Sequence, residues 1–148
     1  QADWAFAIHI EPGLPFGYVS TCAGLINCAS LGLKIKLNGK TAHAADPEDG
    51  ISPAKAIAEL IPALEALGRG GSLDDDFRSV TITHVNIGEH SFGIAPGDGV
   101  ILVTLRTAGD EGMGHLEAMA RTLAVLRDIF PVVLIPRSKR HRQRINDQ

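Results

Sequence analysis

Leu31-Gly32-Leu33-Lys34-Ile35-Lys36-Leu37-Asn38 alternates residue by residue: Leu31, Leu33, Ile35 and Leu37 fall on one side, Lys34, Lys36 and Asn38 on the other. A period of two with one apolar and one wet side is the pattern of a strand that covers a core with a single face. After the loop 39–51, Ser52 is a good N-cap, and Pro53 fits the first helical position, where its missing donor costs nothing. Ile57, Ala58, Ile61, Leu64 and Leu67 then recur at helical spacing until Gly68 and the following Arg-Gly-Gly end the helix. Pro62, inside this pattern, is expected to remove a backbone hydrogen bond and bend the helix.

Val80 to Ile87 and Val100 to Arg106 are rich in β-branched residues and bracket a stretch holding Gly88, Gly93, Pro96, Gly97 and Gly99, the signature of two neighbouring antiparallel strands. Asp110 is a candidate cap for a second helix, with Leu116, Met119, Ala120, Leu123 and Leu126 as its apolar stripe. Val132 to Ile135, between Pro131 and Pro136, reads as a last strand. The order strand, helix, strand, strand, helix, strand predicts an α+β fold: a ferredoxin-like split βαβ sandwich whose four-stranded antiparallel sheet carries both helices on one face.

A chain of 148 residues with 45% hydrophobic content suits one compact domain plus flanking pieces. The formal net charge of −3 offers no strong field for nucleic acid or an anionic membrane, and no apolar run approaches the ~20 residues of a membrane span. Gln1-Ala2-Asp3-Trp4 lacks an initiator Met and a signal-peptide pattern, and reads as an internal cut. Cys22 and Cys28 fit no usual zinc spacing; they read as two buried reduced thiols, which favours a cytoplasmic location. Asp74, Asp75 and Asp76 read as a solvated loop. The stretch from Arg137 to Arg144 is basic without apolar spacing and is expected to be a disordered tail.

Two segments speak to chemistry. Gly39-Lys40-Thr41-Ala42-His43-Ala44-Ala45, followed by Pro47, Gly50 and Pro53 at the head of a helix, resembles the glycine-histidine-alanine loop of the zinc-dependent aminoacylase and carboxypeptidase family, which includes N-acyl-amino-acid and hippurate hydrolases. The likeness continues through Phe92-Gly93-Ile94-Ala95-Pro96, where that family usually carries a Phe-Asn-x-x-Pro turn, and through Thr104-Leu105-Arg106-Thr107. The second segment, Ala7-Ile8-His9-Ile10-Glu11-Pro12-Gly13, is similar to the strand and turn by which the family's catalytic domain leads into its lid.

The resemblance implies a division at 1–28, a remnant of the catalytic domain and linker; 29–136, a lid and dimerisation domain; and 137–148, the tail. It implies a metal-dependent amidohydrolase or peptidase as the parent, acting on the amide bond of N-acyl amino acids or short peptides, with zinc or manganese in the intact enzyme and none expected in this piece. His43 takes the role of the lid histidine that reaches the substrate carbonyl, often from the other subunit, where an imidazole can donate to the oxyanion. His9 matches a metal ligand, but one ligand cannot hold a metal, so the piece is expected to be inactive. Arg106 is a candidate clamp for a substrate carboxylate. Gly93 stands where the family's Asn would contact substrate.

A homodimer is expected through the lid, with the first strand and first helix as its two-fold interface. The alternative is a small-molecule-sensing or regulatory ferredoxin-like domain without catalysis, since this fold hosts many ligand-binding modules. The His43 motif argues against it. An RNA-binding sheet would need aromatics on the central strands, and Val80 to Ile87 and Val100 to Arg106 have none.

Overall fold

The computed structural model describes residues 3, 4, 6, 8–21, 27–126 and 132–138, the last group as backbone. Its elements are β1 (Ala29–Asn38), β2 (Ala42–His43), α1 (Ala54–Glu65), β3 (Arg78–Ile87), β4 (Ile94–Ala95), β5 (Asp98–Thr107), α2 (Asp110–Leu126) and β6 (Val132–Ser138). The chain is α+β, with two helices and antiparallel sheets. The main sheet runs β3-β5-β1-β6, and β2 pairs with β4 in a separate two-stranded ladder.

The alternation of β1 does what its pattern requires. Leu31, Leu33, Ile35 and Leu37 are buried and meet Ile101, Val103 and Leu105 of β5 in one core cluster with residues of both helices. That cluster lies on a single face of the sheet. Lys34 and Lys36 stand half-buried on the other face.

In β3 the apolar residues Val80, Ile82, Val85 and Ile87 fall out of step by one residue between Ile82 and Val85. A β-bulge there shifts the register between Ile82 and His84, so that Thr83 is passed over and its hydroxyl donates to the Leu102 carbonyl at 3.2 Å. The extra residue restores the phase, and all four apolar side chains pack on the core.

Several expectations are corrected. Ala58 is exposed, and the buried face of α1 is Ala56, Ile57, Leu60 and Leu64, because Ala58 lies about 100° around the helix from Ile57. Met119 is 42% exposed; of the expected stripe Leu116 and Ala120 are buried, joined by Met113 and Ala124. Asp110 is the first helical residue, not the flanking cap; the Met113 amide already donates back to the Gly109 carbonyl at 3.1 Å. Pro53 holds a helical backbone (φ −76°, ψ −6°) just ahead of α1, and Ser52 Oγ accepts from the Ala54 amide at 3.3 Å. Pro62 lies on the exposed side of α1, and the helix runs through it to Glu65.

The first strand is not available as a dimer edge. β1 is sandwiched, pairing with β5 over ten residues and with β6 over seven, so its backbone groups are used on both sides. The free edge beside α1 belongs to β3. The loop after α1 is tied down: Gly70 and Gly71 take positive φ, and the amides of Arg69 and Gly70 both donate to the Arg78 carbonyl. Arg69 Nη1 bridges Asp74 Oδ1 at 3.2 Å and Asp76 Oδ2 at 3.6 Å, so the acidic run is a braced surface loop.

Candidate functional site

The His43 loop is built as an outgrowth of the β1–β5 ladder. Asn38 and Asp98 form the last pair of that ladder; beyond it, residues 39–41 face 96–97, and pairing resumes as Ala42 with Ala95 and His43 with Ile94. The junction depends on a bare backbone. A Cβ on Gly97 would stand 2.4 Å from the Thr41 amide nitrogen and 2.7 Å from the Lys40 carbonyl carbon, while Gly39 N donates to Gly97 O at 2.6 Å. Gly88, at φ +55°, brings the turn after β3 against Pro96, where a Cβ would meet the proline ring at 2.5 Å. A bridge between Lys40 and Ile51 closes the other side of the loop.

The two segments singled out by resemblance, 39–45 and 92–96, are therefore brought together as the two strands of one ladder. The Ala44 amide donates to the Gly93 carbonyl at 3.0 Å and extends the pairing. Phe92 is fully exposed and Ile94 half-exposed beside the histidine, so the outgrowth presents an apolar rim around an imidazole.

The His43 side chain is 72% exposed. Its Nδ1 accepts from the Ala45 amide at 3.1 Å, and its own carbonyl accepts from the Asp46 amide at 3.0 Å. With Nδ1 occupied as an acceptor, the proton of the neutral ring sits on Nε2, which makes no hydrogen bond among the described residues. The Asp46 carboxylate lies 4.0 Å from Nδ1 and offers a counter-charge when the ring is protonated. Such an arrangement can donate a hydrogen bond to an oxygen brought to it from outside.

Arg106 is not part of this group. It sits near the far end of β5, eight residues beyond Asp98, or about 26 Å away at strand rise. There it is exposed on the sheet face opposite the core, beside Ser30 and Ser79, with Nη1 3.8 Å from the half-buried, free thiol of Cys28. Cys22 lies outside the described residues.

His9 is exposed in an irregular segment, where a strand was expected. Trp4, Phe6, Ile8 and Ile10 around it are between 83% and 100% exposed; they alternate like a strand but pair with no strand among the described residues. Among the described residues no group of three or more His, Cys, Asp or Glu is placed to hold a metal ion. Among the described residues, too, no helix is long and apolar enough to cross a membrane.

Reading from sequence marked Gly97 only as part of a turn-rich stretch and missed that it shapes the loop through its close approach to Thr41. It also missed Ala45 and Asp46 as the groups that set the ring of His43.

Comparison with known proteins agrees with this architecture. A peptidase dimerisation domain model matches residues 27–127. An IAA-amino acid hydrolase from Arabidopsis thaliana is 31% identical over 101 residues, covering 68% of this chain and 23% of that protein. An N-acetyldiaminopimelate deacetylase from Anoxybacillus flavithermus is 31% identical over 130 residues, covering 85% of this chain and 34% of that protein. The chain thus spans about a quarter to a third of the length of these relatives. The crystal structure of an aminobenzoyl-glutamate utilization protein from Klebsiella pneumoniae shares the fold, with a TM-score of 0.61 at 18% identity over 74% of this chain and 28% of that one. With the family model covering most of its length, this chain belongs to the peptidase dimerisation domain family.

Proposed function

We propose that this domain is the lid of a homodimeric, metal-dependent amidohydrolase that cleaves the amide bond of N-acyl amino acids or short peptides, and that His43 serves the active site of the partner subunit. The observation that carries the reading is the placement of the chain's passage through the sheet. The chain enters β1 at Ala29, opposite Thr107, and leaves β6 at Ser138, opposite Leu31. Both points lie at one end of the sheet. The His43 ladder projects from the other end, about 30 Å away along the ten residues of β1. A catalytic domain attached through those two points sits at the end remote from its own His43, whereas a two-fold related copy can receive it.

The strand order β3-β5-β1-β6 supports the split βαβ, ferredoxin-like topology. In this reading the dimer forms along the β3 edge with α1 beside it, replacing the β1 interface. Residues 1–28 belong with the catalytic domain: the exposed alternating Trp4, Phe6, Ile8 and Ile10 supply a strand that needs a sheet the described residues lack. His9 would join metal ligands of zinc or manganese carried elsewhere in the longer enzyme, and Arg106 would take a substrate carboxylate near the domain junction. What the described residues themselves contribute is the Nε2–H of His43, aimed at the carbonyl oxygen as it gains charge. The free thiol of Cys28 supports a reducing, cytoplasmic setting.

The reading is tested by grafting residues 27–127 in place of the corresponding domain of the Anoxybacillus flavithermus deacetylase. The chimera is expected to deacetylate its substrate, and His43→Ala in it to lower kcat by ~10²–10³-fold, as removal of one oxyanion donor does, with dimer mass unchanged. Full activity in the His43→Ala chimera would overturn the assignment. Co-expression of that variant with a chimera inactivated in its catalytic domain should restore activity in mixed dimers; no restoration would place His43 in its own subunit's site.

A further inference from the structure

We propose that Ile94 and Phe92 seat the acyl group of the substrate beside the His43 imidazole, so that the amide cleaved carries a long or aromatic hydrocarbon acyl group and not acetyl. The inference rests on the role given to His43 above and names the substrate class of that same site. The ladder sets the geometry. Ala44 and Gly93 face each other with the Ala44 amide donating to the Gly93 carbonyl at 3.0 Å. Bonded and non-bonded pairs alternate along antiparallel strands, so His43 and Ile94, one step inward, form a non-bonded pair. Their side chains leave on one face with Cα atoms about 4.5 Å apart, the closer of the two spacings. That face is the open one: His43 and Ile94 are exposed, whereas Ala42 and Ala95 on the other face are half-buried. Two residues before Ile94, Phe92 is fully exposed in a turn held by the Gly93 amide, which donates to Ser91 Oγ at 3.2 Å.

Charge decides which part of the substrate meets these side chains. The carbon that bears the carbonyl oxygen also bears the acyl chain and the amide nitrogen, so both lie two bonds from the oxygen that His43 contacts. The amine part of an N-acyl amino acid ends in a carboxylate. Against Ile94 and Phe92 a carboxylate loses water and gains no donor from either side chain, and the Asp46 carboxylate, 4.0 Å from His43 Nδ1, repels it. The acyl chain is neutral and gains from the same contact. Acetyl is too short to use all of it. Phe92 lies two residues along the chain from Ile94, a span of about 7 Å at strand rise, most of which a six-carbon chain or a benzoyl ring covers. Each methylene buried there contributes up to about fourfold to kcat/KM.

The test uses the deacetylase chimera with the N-acetyl, N-hexanoyl and N-benzoyl forms of diaminopimelate. The ratio of kcat/KM for hexanoyl over acetyl is expected to fall at least about tenfold in the double variant Phe92→Ser with Ile94→Ser, chiefly through KM, and the benzoyl ratio with it. The conservative pair Phe92→Leu with Ile94→Val should restore most of both ratios. His43→Ala should lower the rate on all three substrates alike. Unchanged ratios in the serine variant, while His43→Ala still costs activity, overturn the acyl seat and leave the hydrolase reading standing. An active chimera indifferent to His43→Ala overturns both. If the whole-domain graft is inactive on every substrate, a host that receives only segments 39–45 and 92–96 repeats the comparison, and inactivity there as well also overturns both.

Discussion

His43 stands opposite Ile94 in the two-residue ladder that continues the β1–β5 pairing beyond Gly97, so the histidine is held by backbone hydrogen bonds on a projection and not by packing in the core. The loop that presents it is as well fixed as the junction beneath it. Its side chain stays exposed, free to meet something that does not belong to this subunit.

The junction is the sensitive point. Gly97→Ala places a methyl group 2.4 Å from the Thr41 nitrogen and should destabilise the domain by about 1–3 kcal/mol, as overpacking against backbone does. Gly93→Ala, with nothing within 4 Å of the new Cβ, should fall between no change and a gain of about 1 kcal/mol. Urea unfolding of the two variants checks the contrast.

Placing an asparagine at Gly93, as the Phe-Asn-x-x-Pro resemblance suggests, meets no steric bar for the same reason. Gly93→Asn should leave the melting temperature within about 3 °C of the parent, a shift matching less than about 0.5 kcal/mol. A larger fall, measured by circular dichroism, would mean that glycine is demanded there by the backbone.

Deleting Thr83 removes the bulge and leaves Val85 and Ile87 in unbroken alternation with Val80 and Ile82, all four still on the core face. With the core contacts kept, the deletion should cost under about 1 kcal/mol, and a loss above about 2 kcal/mol would mean that the bulge itself is needed. Thr83→Ala, which keeps the extra residue and loses only an exposed hydroxyl contact at 3.2 Å, should cost under about 1 kcal/mol. Chemical denaturation of both variants separates the role of the residue count from that of the side chain.

Helix faces give a further contrast. Leu60→Ala, at a fully buried position touching the sheet, should cost about 2–5 kcal/mol, and Met119→Ala, at a position 42% exposed, under about 1 kcal/mol. The reverse order in a thermal melt would restore the stripe expected from spacing alone.

Much of the fold was legible because its signals are local. The alternation in β1, the helical spacing after Ser52 and the β-branched runs in β3 and β5 each state an element and a buried side. What was not legible depends on partners distant in the chain. That β1 lies inside the sheet, and so cannot be the dimer edge, follows only from β6 taking its second side. The bulge at Thr83 is visible in hindsight as a missed beat between Ile82 and Val85, but a strand read by composition hides it. At the candidate site, His43 and the 92–96 turn could be marked separately by resemblance; their pairing as one ladder could not, since it rests on the close approach at Gly97. The strand expected around His9 did not form among the described residues, because alternation alone supplies no second strand to pair with.

Pairing of this domain with a copy of itself would let one subunit's His43 serve the other. Sedimentation equilibrium on the purified 148-residue chain measures that pairing. The expected result is a particle of twice the 15.7 kDa chain mass, reduced to a single chain by Ala58→Arg on the exposed side of α1 beside β3. A single-chain mass for the unaltered protein up to millimolar concentration would rule out pairing through this domain.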